Sequence, residues 1–216
     1  MIKLKTLAAA ALMIAAPLAS HAADLIVNGS FESPVLNNGS WTILASMPGW
    51  SADATSGVEL RRNVAGTAQD GQQFVELDTN GGNFNGHVFD NSTNSSIWQD
   101  VVTGNGQSYT LSYFYSPRAG VAANSNDISV YWNNTLLQVN AGSGIGQGNH
   151  VWQQFSFNVM GTGADRVTFA AGGRQDSLGG SLDNVSLNTN VPEPGTYALL
   201  LAGLGAVGFV ARRRSA

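Results

Sequence analysis

The chain has 216 residues, no cysteine, 26 glycines and a formal net charge of −4. Without cysteine there are no disulfides, thiol nucleophiles or thiolate metal sites, so stability must come from packing or a bound ion. Between residues 23 and 190 only Arg61, Arg62, Arg118, Arg166 and Arg174 stand against thirteen acids, and this net charge of −8 repels a phosphate backbone and excludes nucleic acid as a partner.

The first segment reads as an export signal. Lys3 and Lys5 precede an apolar stretch from Leu7 to Leu18, and Ser20-His21-Ala22 places small residues where a signal peptidase reads them. Cleavage is expected after Ala22. Pro17 and the shortness of the run argue against a retained span, so residues 1–22 are set apart from the fold and residues 23–190 are expected to form one domain.

The domain has the periodicity of strands. Phe74 to Leu77, Ile97 to Val102, Tyr109 to Tyr115, Ile128 to Trp132, Trp152 to Val159 and Arg166 to Ala170 are β-branched and aromatic runs, most alternating in polarity. None has helical spacing. Thr103-Gly104-Asn105-Gly106, Trp132-Asn133-Asn134-Thr135 and Gly161-Thr162-Gly163 are turn signals between them. Short strands at this spacing predict an all-β, antiparallel sandwich or barrel. In the run from Tyr109 to Tyr115, Leu111, Tyr113 and Tyr115 face one way and Thr110, Ser112 and Phe114 the other. Residues 79–96 and 140–150, rich in Gly, Asn and Ser, are expected to be long mobile loops.

The tail has three ordered parts. Pro192-Glu193-Pro194 is followed by a 15-residue apolar run from Tyr197 to Ala211 and then by Arg212-Arg213-Arg214. The run is short against the roughly 20 residues of a spanning helix, but it has no polar face, and the arginines would hold the C-terminus in the cytoplasm. An ordinary single-span anchor behind a proline-rich linker would share these traits. The order of the three parts resembles a PEP-CTERM sorting signal over residues 191–216. That resemblance implies a transmembrane helix, an exosortase-type transpeptidase as partner, anchoring in the inner membrane during sorting, and delivery to the cell surface or its polysaccharide.

Within the domain, Asn28-Gly29-Ser30-Phe31-Glu32, Pro48-Gly49-Trp50, the run from Gly71 to Asp78 and Leu182-Asp183-Asn184-Val185 resemble the galactose-binding-like jelly roll, and more narrowly the DUF642-type domains and related carbohydrate-binding modules. The resemblance implies first and last strands lying side by side, with a structural calcium ion between them. Glu32 and Asp183 are the candidate metal ligands, since calcium takes six to eight oxygens in flexible geometry. The alternative is that Glu32 caps a turn and Asp183 accepts backbone amides.

Sugar-binding sandwiches stack aromatic faces on the apolar side of a ring and meet the hydroxyls with amides, carboxylates or guanidinium groups. Trp50, Trp98, Tyr115 and Arg118 are the ligand candidates, against core packing for the aromatic rings and a salt bridge to Asp127 or Asp176 for Arg118. A glycosidase would need two positioned carboxylates. Glu76 and Asp78, two apart on a strand, are the available pair, and structural contacts are the simpler account of them. No Gly-x-Ser-x-Gly elbow and no phosphate-binding glycine loop is present. The sequence therefore points to a non-catalytic, exported domain associated with extracellular polysaccharide, as in a biofilm matrix. The alternatives are an adhesive or structural surface protein and, behind it, a hydrolase.

Overall fold

The structure, a computed structural model, describes residues 23–90, 94–190, 201–205 and 212–213. Ala23–Asn190 forms a compact unit of its own. Its strands are β1 (Ser40–Leu44), β2 (Ser46–Met47), β3 (Trp50–Ala52), β4 (Val58–Arg62), β5 (Gln73–Glu76), β6 (Gly82–Phe84), β7 (His87–Phe89), β8 (Ser96–Val102), β9 (Ser108–Ser116), β10 (Ile128–Trp132), β11 (Thr135–Asn140), β12 (Gln153–Met160), β13 (Ala164–Ala171) and β14 (Ser181–Thr189). A front sheet runs β1-β4-β5-β14-β9-β12 and a back sheet β11-β10-β13-β8-β3-β2, with β6 and β7 as a separate hairpin. Every pairing is antiparallel. This is the antiparallel sandwich that the strand periodicity predicts.

All six predicted runs are strands, and alternation decides which side each residue takes. Along β9, Tyr109, Leu111, Tyr113 and Tyr115 are buried while Ser108, Thr110, Ser112 and Phe114 are only half-buried. The two sheets meet through Phe31, Trp50, Phe169 and Tyr113, with ring centroids 5.4 Å apart for Phe31 and Trp50, 6.1 Å for Trp50 and Phe169, and 5.1 Å for Tyr113 and Phe169. Burying an aromatic or aliphatic side chain of this size contributes about 1.5–3 kcal/mol, so this interior carries most of the stability.

The N-terminal segment, not itself a strand, lies along β14, while the first strand, β1, pairs with β4 and not with the last strand as the family resemblance implies. Leu25 N donates to Leu187 O at 3.0 Å and Val185 N to Gly29 O at 2.9 Å. Position 29 must be glycine because a Cβ there would stand 1.9 Å from Val185 O. Asp24 Oδ1 accepts from Ile26 N and Leu187 N at 2.9 and 2.8 Å.

The two segments expected to be long loops differ in the structure. Residues 79–96 hold the β6–β7 hairpin, with Trp41 5.2 Å from Phe84 between ring centroids. Residues 140–150 have no regular element beyond the end of β11, yet Gly144 N donates to Val121 O and Gly120 N to Gly144 O, both at 2.8 Å, which ties the loop to the chain leaving β9.

In the tail, Leu201–Gly205 and Arg212–Arg213 are helical. No helix among the described residues is long and apolar enough to cross a membrane. Pro192, Glu193, Pro194, Arg214, the rest of the apolar run and the whole signal segment lie outside the described residues.

Candidate functional site

The register of the front sheet collects charge on one face. Arg61 pairs with Phe74, Glu59 with Glu76, and Ser181 with both Glu76 and Ser116. Because side chains alternate, Glu59, Arg61, Phe74, Glu76 and Ser181 turn away from the Val58, Leu60, Val75 and Leu182 side that builds the core. All of these residues are nonetheless buried, because the segments around Thr67 and His150 close over them.

The closure is built from paired polar groups. Asn149 Oδ1 accepts from Thr67 N at 3.1 Å, Trp152 Nε1 donates to Thr67 O at 3.0 Å, and His150 Nδ1 lies 2.9 Å from the same carbonyl. A carbonyl only accepts, so Nδ1 carries the proton. Nε2 is then the acceptor for Ser181 Oγ at 3.1 Å. The His150 ring stands edge-on to Phe74 at 4.6 Å, and Gly66 leaves room for it, since a Cβ there would meet Cε1 at 2.3 Å. Burial, with Arg61 and Arg118 adding to it, lowers the His150 pKa and keeps the ring neutral. The Ser181–His150 hydrogen bond has the geometry of a hydrolase dyad, but Ser181 has no exposed surface. A substrate carbonyl cannot reach its Oγ.

Beneath this cover lies a buried ion cluster. Arg61 pairs with Glu59 and, at 3.2 Å through Nε, with Glu76 Oε2. Glu76 Oε1 takes Arg118 Nη1 at 2.5 Å and Gly179 N at 3.3 Å. Burial and the neighbouring Glu76 push the Glu59 carboxyl up to about 7, against Arg61, Arg118 and the Asn80 amide. Burial likewise raises the Glu76 pKa, while Arg61 and Arg118 oppose it. The cluster thus joins two acids to two bases, and the Glu76–Arg118 link is a short charge-assisted contact.

Arg118 is the member of the cluster that reaches outward, with its side chain 19% exposed. It lines a cleft of about 460 Å³ together with Ala65, Gly66, Thr67, Ala119, Gly148 and Asn149. Nη1 is fixed by Glu76 and by Ser177 O at 3.2 Å, which leaves the guanidinium plane pre-set at the cleft wall. The salt bridge anticipated from the sequence thus exists, but with Glu76 and not with Asp127 or Asp176.

The other sequence candidates do not converge here. Trp50 is 2% exposed, packs on Phe31 and Phe169, and donates through Nε1 to Asn28 O at 3.1 Å; it is core and offers no face to a ligand. Tyr115, also 2% exposed, donates its hydroxyl to Asn126 O and accepts from Gly142 N, and burial raises its pKa to about 12. It too is structural. Trp98 is half-buried on the outer side of the back sheet, covered by the Arg166 guanidinium 5.4 Å from its ring centroid. Glu76 and Asp78 are both fully buried, and Asp78 lies beyond the end of β5 with Oδ2 accepting from Asp176 N and Leu178 N at 2.9 and 3.3 Å. They do not flank an open site.

The residues do not fit a calcium ion between Glu32 and Asp183. Glu32 Oε1 accepts from Gln72 N and Gln73 N, both at 2.7 Å. Asp183 Oδ2 accepts from Gln69 N and Asp70 N at 2.7 and 2.9 Å, and Oδ1 from Asn184 N at 2.7 Å. Three of the four carboxylate oxygens are thus taken up by backbone amides. The two carboxylates instead anchor residues 69–73, the strap leading from the cleft into β5. Burial pushes Asp183 up to about 7 against these three amide bonds.

Sequence reasoning missed Glu59, Arg61, Thr67, Asn149 and His150. One signal was available: Val58-Glu59-Leu60-Arg61-Arg62 alternates apolar and charged residues as a strand does.

Comparison with known proteins bears on both parts of the chain. Residues 190–214 match the PEP-CTERM protein-sorting motif, so the chain carries that sorting motif in its tail. Over 167 residues the chain is 30% identical to a multifunctional-autoprocessing repeats-in-toxin protein of Vibrio cholerae; the match covers 76% of this chain and about 3% of that protein's length. A similar protein of Vibrio vulnificus matches over 172 residues, also at 30% identity and with 77% and 3% of the two chains covered. Among solved structures, the Stig cyclase Fisc from Fischerella sp. TAU superposes with a TM-score of 0.52 at 16% identity, covering 78% of this chain and 98% of that one. An arabinose-bound MgGH51 α-L-arabinofuranosidase superposes at 0.51 and 11% identity, covering 80% of this chain and 27% of the enzyme. At such identities these likenesses show the sandwich fold alone.

Proposed function

We propose that this protein is sorted to the cell surface and there binds extracellular polysaccharide through the Arg118 cleft without chemically altering it. The observation that carries the reading is the make-up of the cleft. Ala65, Gly66, Ala119 and Gly148 keep the walls low enough for a sugar ring to approach the backbone, while Thr67, Asn149 and one pre-oriented guanidinium supply polar contacts. Among the described residues no carboxylate lines it, and Glu76, which holds the Arg118 guanidinium from behind, is itself paired with both Arg61 and Arg118. That arrangement supports binding rather than turnover. The sorting motif supports a place beside the surface polysaccharide, and an exosortase-type transpeptidase is the partner that would deliver it there.

The test is electrophoresis of residues 23–190 through gels carrying polysaccharides, alongside a glycan array. Arg118→Lys keeps a positive charge beside Glu76 but removes the planar fork. Retention on a defined glycan should fall in this variant while the melting temperature stays close to that of the parent. Retention that survives Arg118→Lys and disappears with Trp98→Ala would move the site to the back sheet and overturn the reading, as would release of shortened sugars.

A further inference from the structure

We propose that β12 is a pairing edge for a second copy of this chain, joining two front sheets antiparallel across a two-fold axis. An outermost strand exposes a row of unpaired amides and carbonyls, and proteins guard such edges with charge, proline, bulges, shortness or a covering element. Three of the four edges of the two six-stranded sheets are guarded in this way. β2 has two residues. β11 pairs with β10 across a register shift at Val130/Tyr131. β1 has the β6–β7 hairpin against it, through Trp41 with Phe84 and Asn85 Nδ2 donating to Thr42 Oγ1 at 3.4 Å.

Among the described residues β12 has none of these guards. It runs for eight residues, Gln153–Met160, without a charge or a proline, and pairs in unbroken register with β9. Among the described residues β9 is its sole strand neighbour. Gln154, Ser156, Asn158 and Met160 are exposed, and Phe155 and Phe157, stacked on Tyr113 at 5.5 and 6.3 Å, remain half-exposed at the open side of the sandwich.

Electrostatics selects a second copy as the occupant. The domain carries −8, so two copies repel over most of their surface. The outer face of β14, β9 and β12 is the exception. Its strands hold no charged residue apart from the fully buried Asp183, and they present Ser186, Asn188, Thr110, Ser112, Ser156 and Asn158. An antiparallel strand is complementary to itself under a two-fold, which closes the assembly as a dimer and does not propagate a fibre.

The experiment is sedimentation equilibrium of residues 23–190 at physiological ionic strength over a wide concentration range, with hydrogen exchange read on the peptide spanning residues 152–161. The parent should show a monomer–dimer equilibrium, with β12 amides exchanging more slowly at high concentration. Ser156→Lys, which places two ammonium groups beside each other at the two-fold, should be monomeric over the same range with an unchanged melting temperature and unchanged retention on glycan gels. A parent that stays monomeric throughout would overturn the proposal, and so would a dimer that persists in Ser156→Lys or one that leaves β12 exchange unprotected.

Discussion

The two ends of the front sheet are made by the same antiparallel pairing and treat charge in opposite ways. At the β4–β5 end both sides of the strands are buried, and Glu59, Arg61 and Glu76 lie enclosed under the Thr67 and His150 segments. At the β9–β12 end one side packs into the core and the other is half-open to solvent, yet carries no charge. Charge is thus kept where opposite partners and a cover exist, and is absent where the sheet is bare. The difference teaches that the β4–β5 end is organised to hold a cleft in shape, whereas the β12 end is organised to be approached.

Disturbing the enclosed end should have the largest effect. Glu76→Gln removes the anion shared by Arg61 and Arg118, leaving the buried Arg61 with Glu59 alone and the partly exposed Arg118 without its carboxylate. A loss of about 3–5 kcal/mol is expected from urea unfolding, and glycan retention should vanish with it. Asp183→Ala should cost less, about 2–3 kcal/mol for the amides left unpaired. Its signature is faster hydrogen exchange at residues 69–73, with the β9–β12 end unchanged. Adding calcium to the parent should not shift its melting temperature.

A pH titration sharpens the comparison through Glu59. Its folded pKa, about 7, is raised above the ordinary 4.5, chiefly by burial. The protonated form is therefore favoured by folding: this contribution is full below pH 4.5 and is lost as the pH rises through 7. The melting temperature should fall between these limits, and Glu59→Gln should flatten the slope. Asp165 works in the opposite sense. Burial opposes its ionisation, but Asn133, Thr103 and Thr162 outweigh burial and hold it at about 2, so its contribution is lost as the pH falls from 3.8 towards 2. The smallest effect should come from Arg166→Ala on the back sheet, where an exposed pair with Asp100 contributes less than about 1 kcal/mol.

Strand identity was legible wherever apolar and polar residues alternate, as in β9 and β10, because burial on one face alone imposes that pattern. β4 alternates too, but the burial of its charged side was not legible. Three charges in five residues read as surface, and only distant segments, around Thr67 and His150, turn that surface into interior. Trp50 was misread for a related reason: Pro48-Gly49 marks a turn, and nothing local reveals that the next ring fills the gap between Phe31 and Phe169. Arg118 stood out because it follows a proline at a strand exit. Its partner Glu76 lies 42 residues earlier, and register, not spacing, brings them together. Glu32 and Asp183 were recognised as important, but their task is set by amides of residues 69–73, whose approach depends on the whole front sheet.

The central claim is that the enclosed end of the front sheet presents a sugar-binding cleft, and amide NMR of residues 23–190 titrated with a retained oligosaccharide tests it most directly. The account predicts shifts concentrated at residues 65–67, 118–119 and 148–149, with the amides around Trp98 and Arg166 unmoved. Shifts confined to the back sheet, or none at saturating sugar, would contradict it.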